Sequence, residues 1–412
     1  MNWFENLDLD INSFFEVSNS KDRENLEQSF EEKNYLIGEY LRAPSDSTKS
    51  HHKLVEFVKR DDRIFHYDTH IKSIIGFSYA ESDAYQEIMT GQADIIIAGG
   101  VDHISDAPIQ FPKKMRKKLF LAQKLKGLRD GIKFLSRLRL SDFIPERPAI
   151  AEYTTNKSMG ADCDIMAARF GIPRAEQDAY AMRSHQMAAE AQKKGFLTEE
   201  MVSVKLPPKF KGIESDNGIR ANSKIDKLAQ LRPAFDKKFG TLTAANSSFL
   251  TDGASAVLLM SEEKAKRLGF IAKAEIVDFT FTGQRLEDEL LLGPAYAVLK
   301  LLNRQKMTFK DIDVIEFHEA FAGQILSNLK ALASDDFASK ELGLKKSLGE
   351  VPMEKFNLWG GSLSIGHPFG ATGGRLLTTT CNRLKHEKGT YGLLAACAAG
   401  AHGHAMLIKT LL

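Results

Sequence analysis

Cysteine is scarce. The chain has three in 412 residues, Cys163, Cys381 and Cys397, and no two form a Cys-x-x-Cys pair. That excludes a disulfide scaffold and a cysteine-rich zinc module, and it fits a reducing compartment. No uninterrupted apolar run of about 18 residues occurs, so no membrane span is expected. An excess of one charge is missing too. Lysine and arginine number 56 against 54 acidic residues, a formal net charge of +2, which argues against a dedicated nucleic-acid binder. No Gly-x-x-x-x-Gly-Lys-Ser/Thr is present, and no Gly-x-Gly-x-x-Gly follows an early strand. Nucleotide hydrolysis and dinucleotide redox chemistry therefore lack support. The opening, Met1-Asn-Trp-Phe-Glu-Asn-Leu-Asp, is acidic. It has neither the basic-then-apolar pattern of a secretory signal nor the Arg-rich pattern of a mitochondrial transit peptide, and a cytoplasmic location is the expectation.

What is present is ordinary globular material, 43% hydrophobic and 27% charged. A chain of this length suits two or three packed units around a large core. Residues 1–68 carry scattered Phe and Leu among acidic residues and show no strong strand. Near Thr69 the pattern changes. Ile71 to Thr90 has helical apolar spacing and is stopped by Gly91. Ala93 to Ala98 then reads as a buried strand, which points to a parallel or mixed α/β sheet. Residues 112–140 hold Lys113, Lys114, Arg116, Lys117, Lys118, Lys124, Lys126, Arg129, Lys133, Arg137 and Arg139 against Asp130 alone. Leu119, Phe120, Leu125, Leu128, Ile132, Leu135 and Leu138 fall near helical spacing among them. This basic amphipathic stretch is either a helical excursion folded on its own protein or a contact for a membrane surface or partner.

Helices are expected over Asp162–Phe170, Arg174–Lys194, Glu262–Leu268, Pro294–Asn303 and Gln324–Leu332. Strands are expected over Ala254–Leu259, Ala274–Phe279, Asp313–Phe317, Tyr391–Ala396 and His404–Thr410, with 207–220 as loop. The pairing of helix with following strand near residues 94–100 and again near 391–397 hints at two similar α/β halves.

The glycine-rich stretch Gly360 to Gly373 stands out. Its Pro368 suits the first position of a helix. His367 is then expected at a strand-to-helix turn, near a helix N-terminus that disfavours imidazolium and keeps a neutral base. A structural turn with an incidental histidine is the other reading. His318, with Glu319 beside it, and Cys397 lie at the ends of apolar strands, where α/β proteins place their sites. A cysteine near a histidine serves as nucleophile or proton shuttle, or is merely a small buried residue. Asn246-Ser247-Ser248 either bonds a ligand amide or makes local turn bonds. His402-x-His404 has no acidic cluster to complete a metal site.

Gly366-His367-Pro368, His318-Glu319-Ala320-Phe321 and Cys397-Ala-Ala-Gly together resemble the thiolase family, closest to its fatty-acid-oxidation branch. Thr243-Ala-Ala-Asn-Ser-Ser, Ala98-Gly-Gly-Val-Asp, Ser158-Met-Gly and Leu291-Leu-Gly-Pro match in order. The resemblance spans about 69–412. It implies a layered αβαβα fold of two similar halves, with residues 69–111 and 241–270 in the first half and 271–412 in the second. Residues 112–240 would be an inserted helical loop domain, after a divergent 1–68. It implies cleavage of a 3-ketoacyl-CoA by CoA, with coenzyme A as a substrate and no other cofactor or metal. His367 would activate a nucleophilic cysteine, His318 would help form an oxyanion hole, and Cys397 would shuttle a proton. Met159, Phe235, Ser248, Ala320 and Phe321 would line the pantetheine channel. Acyl-CoA and CoA, a second copy of the chain and a hydratase/dehydrogenase α-subunit are the implied partners, with peripheral membrane contact through 112–140. The sequence departs from the family in two places: the position of the nucleophilic cysteine holds Ile74, and residues 1–68 lack the family's opening strand and its Arg-Thr-Pro signature. The alternative is therefore a catalytically impaired member that binds acyl-CoA or serves as a partner subunit.

Overall fold

A computed structural model describes residues 55–58, 64–67, 75–106, 111–145, 151–152, 154–206 and 211–412. Ile74 and most of 1–68 lie outside the described residues. The short strands β1 (Val55–Val58) and β2 (Ile64–Tyr67) pair antiparallel, where the sequence showed no strong strand. Helix α1 (Ile75–Met89) follows, and residues 71–74 of the expected helix lie outside the described residues. Strand β3 (Ile95–Asp102) runs straight through Gly99-Gly100, which the sequence reading took as its end. Two basic helices come next, α2 (Lys113–Ala122) and α3 (Leu128–Leu135). Then come α4 (Met159–Arg169), capped by the Ser158 hydroxyl, and α5 (Arg174–Lys193). A small hairpin, β4 (Val204–Leu206) and β5 (Lys211–Ile213), replaces part of the expected loop. Helix α6 (Ile225–Ala229) leads to β6 (Gly253–Met260) and to α7 (Glu262–Leu268). Ser261 caps α7 at one end, and Gly269 closes it in the left-handed conformation that glycine adopts without penalty.

The C-terminal part holds β7 (Ala274–Gly283), α8 (Gly293–Gln305), β8 (Val314–Phe317), α9 (Ala322–Leu332) and α10 (Asp335–Leu342). The short α11 (Ser362–Ile365), then α12 (Thr372–Glu387), β9 (Tyr391–Ala398) and β10 (His402–Thr410), complete it. The strand order is β7-β10-β9-β8. The β8/β9 pair is parallel and the others antiparallel, so the sheet is mixed. β3 pairs with β6, also antiparallel.

The apolar runs of β9 and β10 are continuous because both faces of this sheet are covered. Leu393, Ala395 and Cys397 of β9 join Ala405 and Leu407 of β10 in the core beneath α8 and α9. Leu394, Ala396, Ala398, Met406 and Ile408 point the other way, against Leu376, Leu377 and Leu384 of α12. This is the period-two alternation of a strand read on both sides. α1 and α12 form a shared helical layer between that sheet and the β3/β6 pair. Helices α4 and α5 pack on α9. The layering is the α/β arrangement that the resemblance implies.

One buried ion pair pins α12 to the sheet. Glu316 alternates with Ile315 and Phe317 on β8, so it faces α12. There the fully buried Arg383 donates to it at 2.7 Å. Arg383 also donates to the carbonyls of Ile315 and Lys355 and to Glu387. The guanidinium is thus well bonded, as a buried charge must be, while Glu316 Oε2 is left without a hydrogen-bond partner among the described residues.

Candidate active site

The site forms where β8, β9 and the Gly360–Thr372 turn converge. β8 ends at Phe317, and the next residue, His318, donates its backbone N–H to Ala395 of β9 at 2.8 Å. The parallel register sets Phe317 beside Ala395, so His318 and Cys397 emerge together at the same end of neighbouring strands. His367 arrives from the turn between α11 and α12. Its ring centroid lies 4.1 Å from that of His318, with planes tilted by 43°. Both side chains are buried.

The turn carrying His367 differs from the sequence expectation. It links two helices and not a strand to a helix. Pro368 precedes α12 and is not its first residue. Its carbonyl accepts from the N–H groups of Ala371 and Thr372. The β3/β6 pair and Thr251 just before β6 hold this turn from outside. Thr251 accepts the His367 N–H at 3.2 Å, Asp102 accepts the Gly370 N–H, and Ser255 donates to Ala371 O at 2.6 Å. Asp102 is the last residue of β3, so the β3/β6 pair registers the turn against the four-stranded sheet.

Burial first, and then the nearby Arg375 guanidinium, hold the His367 imidazole at a pKa of about 3. His318 is lowered well below its ordinary value by burial, His367 and Arg375. Two neutral imidazoles therefore face each other. The sequence expectation of a neutral base holds, but desolvation and Arg375 cause it, with no helix terminus among the causes. Burial pushes the Cys397 thiol up to about 12. A cysteine acting as base needs a depressed pKa, so the free site holds Cys397 as an acid.

Ser248, Ala320 and Phe321 come together because two segments pair. Ser248 N–H donates to Ala320 O at 2.9 Å, Ala322 N–H donates to Asn246 O at 2.9 Å, and Ser247 bridges Phe321. Phe235 meets Phe321 edge to face at 5.7 Å. Gly160, next to Met159, lies so close to the Phe235 ring that a Cβ there would overlap it. Phe235, Ser248, Ala320 and Phe321 thus border one region, with Met159 adjoining Gly160 at its edge.

Other candidates are committed elsewhere. Asn246 spends its amide on Asp178 and Thr241 and its oxygen on Thr243, and Ser247 donates to Thr243 O at 2.6 Å. All but the bond to Asp178, which reaches α5, are local turn bonds. Glu319 accepts from Tyr180, Ser184, Asn357 and the Leu363 N–H. It ties α5 to the turn and is not placed for proton transfer. His404 is buried and His402 exposed, and among the described residues no group of three or more His, Cys, Asp or Glu could hold a metal ion.

Two domain models match the chain in sequence, the thiolase N-terminal domain over residues 78–263 and the thiolase C-terminal domain over 270–410. The chain belongs to the thiolase family. It is similar to the mitochondrial trifunctional enzyme subunit beta of Bos taurus, 51% identical over 335 residues, covering 81% of this chain and 70% of that one. It is 47% identical over 330 residues to the 3-ketoacyl-CoA thiolase of Yersinia pestis (strain Pestoides F), covering 80% of this chain and 76% of that one. Among solved structures, human mitochondrial 3-ketoacyl-CoA thiolase in complex with CoA matches with a TM-score of 0.67 and 26% identity, over 83% of this chain and 77% of that one. Bacillus anthracis acetyl-CoA acetyltransferase matches with a TM-score of 0.66 and 30% identity, over 82% and 78%.

This thiolase-family site also contains residues that sequence reasoning missed: Thr251, Ser255, Ser362, Thr372 and Arg375. They are ordinary polar residues whose partners are mostly distant in sequence. Ser362, Thr372 and Arg375 do lie in or beside the glycine-rich stretch, which was the available signal.

Proposed function

We propose that the chain is built as an acetyl-CoA C-acyltransferase of fatty-acid β-oxidation, a 3-ketoacyl-CoA thiolase, in which Ile74 stands where the nucleophile belongs. The observation that supports it is the neutral His318/His367 pair, ring centroids 4.1 Å apart, at the strand ends that also carry the protonated Cys397 thiol. His367 serves as the base for a thiol, His318 donates to the thioester oxygen, and Cys397 protonates the departing acetyl enolate. Met159, Phe235, Ser248, Ala320 and Phe321 hold the pantetheine arm of CoA, which is a substrate, and no further cofactor is needed. Isoleucine cannot form a thioester, so covalent acyl transfer is lost while acyl-CoA binding is kept.

The domain division goes with this reading: 1–68 divergent, 69–111 with 241–270 as the first half, 112–240 as the loop domain and 271–412 as the second half. The chain acts as a dimer or larger assembly with a hydratase/dehydrogenase α-subunit. Its compartment is the cytoplasm, or the mitochondrion in a eukaryote. Residues 112–140 present exposed Phe120, Leu121, Ile132 and Leu135 among exposed lysines, which supports peripheral membrane contact. Salt-sensitive sedimentation with anionic vesicles, lost on replacing Lys113, Lys114 and Lys117 by Glu, tests that contact. Vesicle binding unchanged by those replacements would rule it out.

The experiment for the activity is thiolysis across short to long 3-ketoacyl-CoA substrates. Turnover is expected several orders of magnitude below the ~10 per second common among enzymes. Turnover near that rate would refute the reading.

A further inference from the structure

The two site histidines are chemically alike, yet the reaction proposed above asks opposite things of them. One must present an N–H and the other a lone pair. Hydrogen-bond accounting shows how the protein tells them apart.

The buried Thr372 Oγ1 lies 2.8 Å from Pro368 O and 2.7 Å from His367 Nδ1. Two oxygens that close repel unless a proton lies between them, and a carbonyl has none to give. The hydroxyl proton therefore goes to Pro368 O. The Oγ1 lone pair then accepts, so His367 carries its proton on Nδ1. Its Nε2 is left as a lone pair, and no described residue hydrogen-bonds it.

At His318 the direction reverses. Ser362 Oγ lies 2.9 Å from His318 Nδ1 and accepts from Arg375 Nη2 at 3.2 Å. Ser362 is fully buried, and among the described residues its hydroxyl proton has no acceptor except His318 Nδ1. A buried hydroxyl donates where it can. His318 Nδ1 is then the acceptor, and the ring proton sits on Nε2. That Nε2 is buried and has no partner in the described structure. It is an orphaned donor aimed into the site.

We infer that Thr372 and the Ser362–Arg375 pair are positioning residues that lock His367 and His318 in opposite tautomers. His367 keeps an Nε2 lone pair for abstraction, and His318 keeps an Nε2–H for an oxyanion. Arg375 acts on both rings: it orients Ser362, and its charge adds to the burial that keeps both imidazoles neutral. This rests on the thiolase reading for its purpose, but its geometry stands without any reaction.

The test is a two-bond 1H–15N correlation spectrum of the intact chain with 15N-labelled histidine. The two signals are assigned with His318→Gln and His367→Gln. The expected result is an Nε2–H signal for His318 and an Nδ1–H signal for His367. Thr372→Val should shift His367 to a mixture of tautomers, and Thr372→Ser should restore it. Ser362→Ala and Ser362→Thr should do the same for His318. The same tautomer at both rings of the parent chain would overturn the inference. So would tautomers unchanged in Thr372→Val and Ser362→Ala. Should either of these fail to fold, the parent spectrum and the hydroxyl-preserving variants still decide. The spectrum needs no substrate, so tautomers as assigned together with a folded Ile74→Cys variant that takes up no acyl group from a 3-ketoacyl-CoA would defeat the thiolase reading alone.

Discussion

Gly366 is the residue through which the chain turns to present His367, and its replacement by alanine separates two costs. Its φ of 93° and ψ of 178° fall in a region that is essentially closed to side-chain-bearing residues. Holding a Cβ there costs about 1–3 kcal/mol. The same Cβ would overlap Oγ1 of Thr251 and stand 2.9 Å from Thr251 Cβ and Cγ2. Thr251 is not free to swing away, because its hydroxyl donates to Phe249 O at 3.0 Å and accepts the His367 N–H at 3.2 Å. Overpacking of this kind adds about 1–3 kcal/mol. Gly366→Ala is therefore expected to cost about 2–6 kcal/mol, much of the 5–15 typical of a whole protein. Urea unfolding in a Trp3→Phe background leaves Trp359 as the only tryptophan. It is 5% exposed and stacks on Phe196 at 4.8 Å, so it reports directly on this turn. Thr251→Ala removes the Oγ1 and Cγ2 contacts. Adding it to Gly366→Ala should recover about 1–3 kcal/mol of coupling. A Gly366→Ala cost below about 0.5 kcal/mol would refute the strain argument, and zero coupling would refute the steric one.

Three further outcomes follow from buried charge. Arg383→Met leaves Glu316 buried and unpaired and should cost about 3–5 kcal/mol in the same urea assay, with Glu316→Gln added to it recovering most of the loss. A cost under 1 kcal/mol would contradict the pairing. His404 is buried with a pKa of about 3, against 6.5 for the free side chain, so stability present above pH 6.5 is lost as pH falls toward 3. His404→Phe, which fits beside Phe279 and Phe281, should make the acid limb shallower by about 1.4 kcal/mol per pH unit. An unchanged slope would show that His404 titrates normally. With the Cys397 thiol at about 12, its thiolate fraction near pH 7 is on the order of 1 in 100,000. Deuterium exchange into the methyl group of acetyl-CoA should rise about tenfold per pH unit between 7 and 10 and vanish in Cys397→Ala. A pH-independent exchange rate would remove Cys397 from that role.

The sequence was legible where local and global signals agreed. The helix Glu262–Leu268 was read at its observed bounds because Ser261 and Gly269 cap it visibly and charged residues fill its exposed face. Tyr391–Ala396 was readable as a strand, two residues short of its observed end, because burial on both faces makes it a continuous apolar run. The β4/β5 hairpin was not, since its strands are three residues each and carry no apolar alternation long enough to register. Helix Asp335–Leu342 was missed despite a Ser334 cap and a left-handed Gly343 that announce it. At the site, His318, His367 and Cys397 could be singled out because glycine, histidine and cysteine stand out beside apolar strands. Their governors could not. Thr251 and Arg375 act across folds of chain that only the tertiary structure closes, and the burial that neutralises both imidazoles has no local signature.

The central claim is that this is a thiolase site complete except for its nucleophile, and Ile74→Cys tests it most directly. Intact-protein mass spectrometry after incubation with a 3-ketoacyl-CoA should show one acyl group on the variant, discharged by added CoA, and none on the parent chain. An acyl group on the parent, or a folded Ile74→Cys variant that takes up none, would contradict the account.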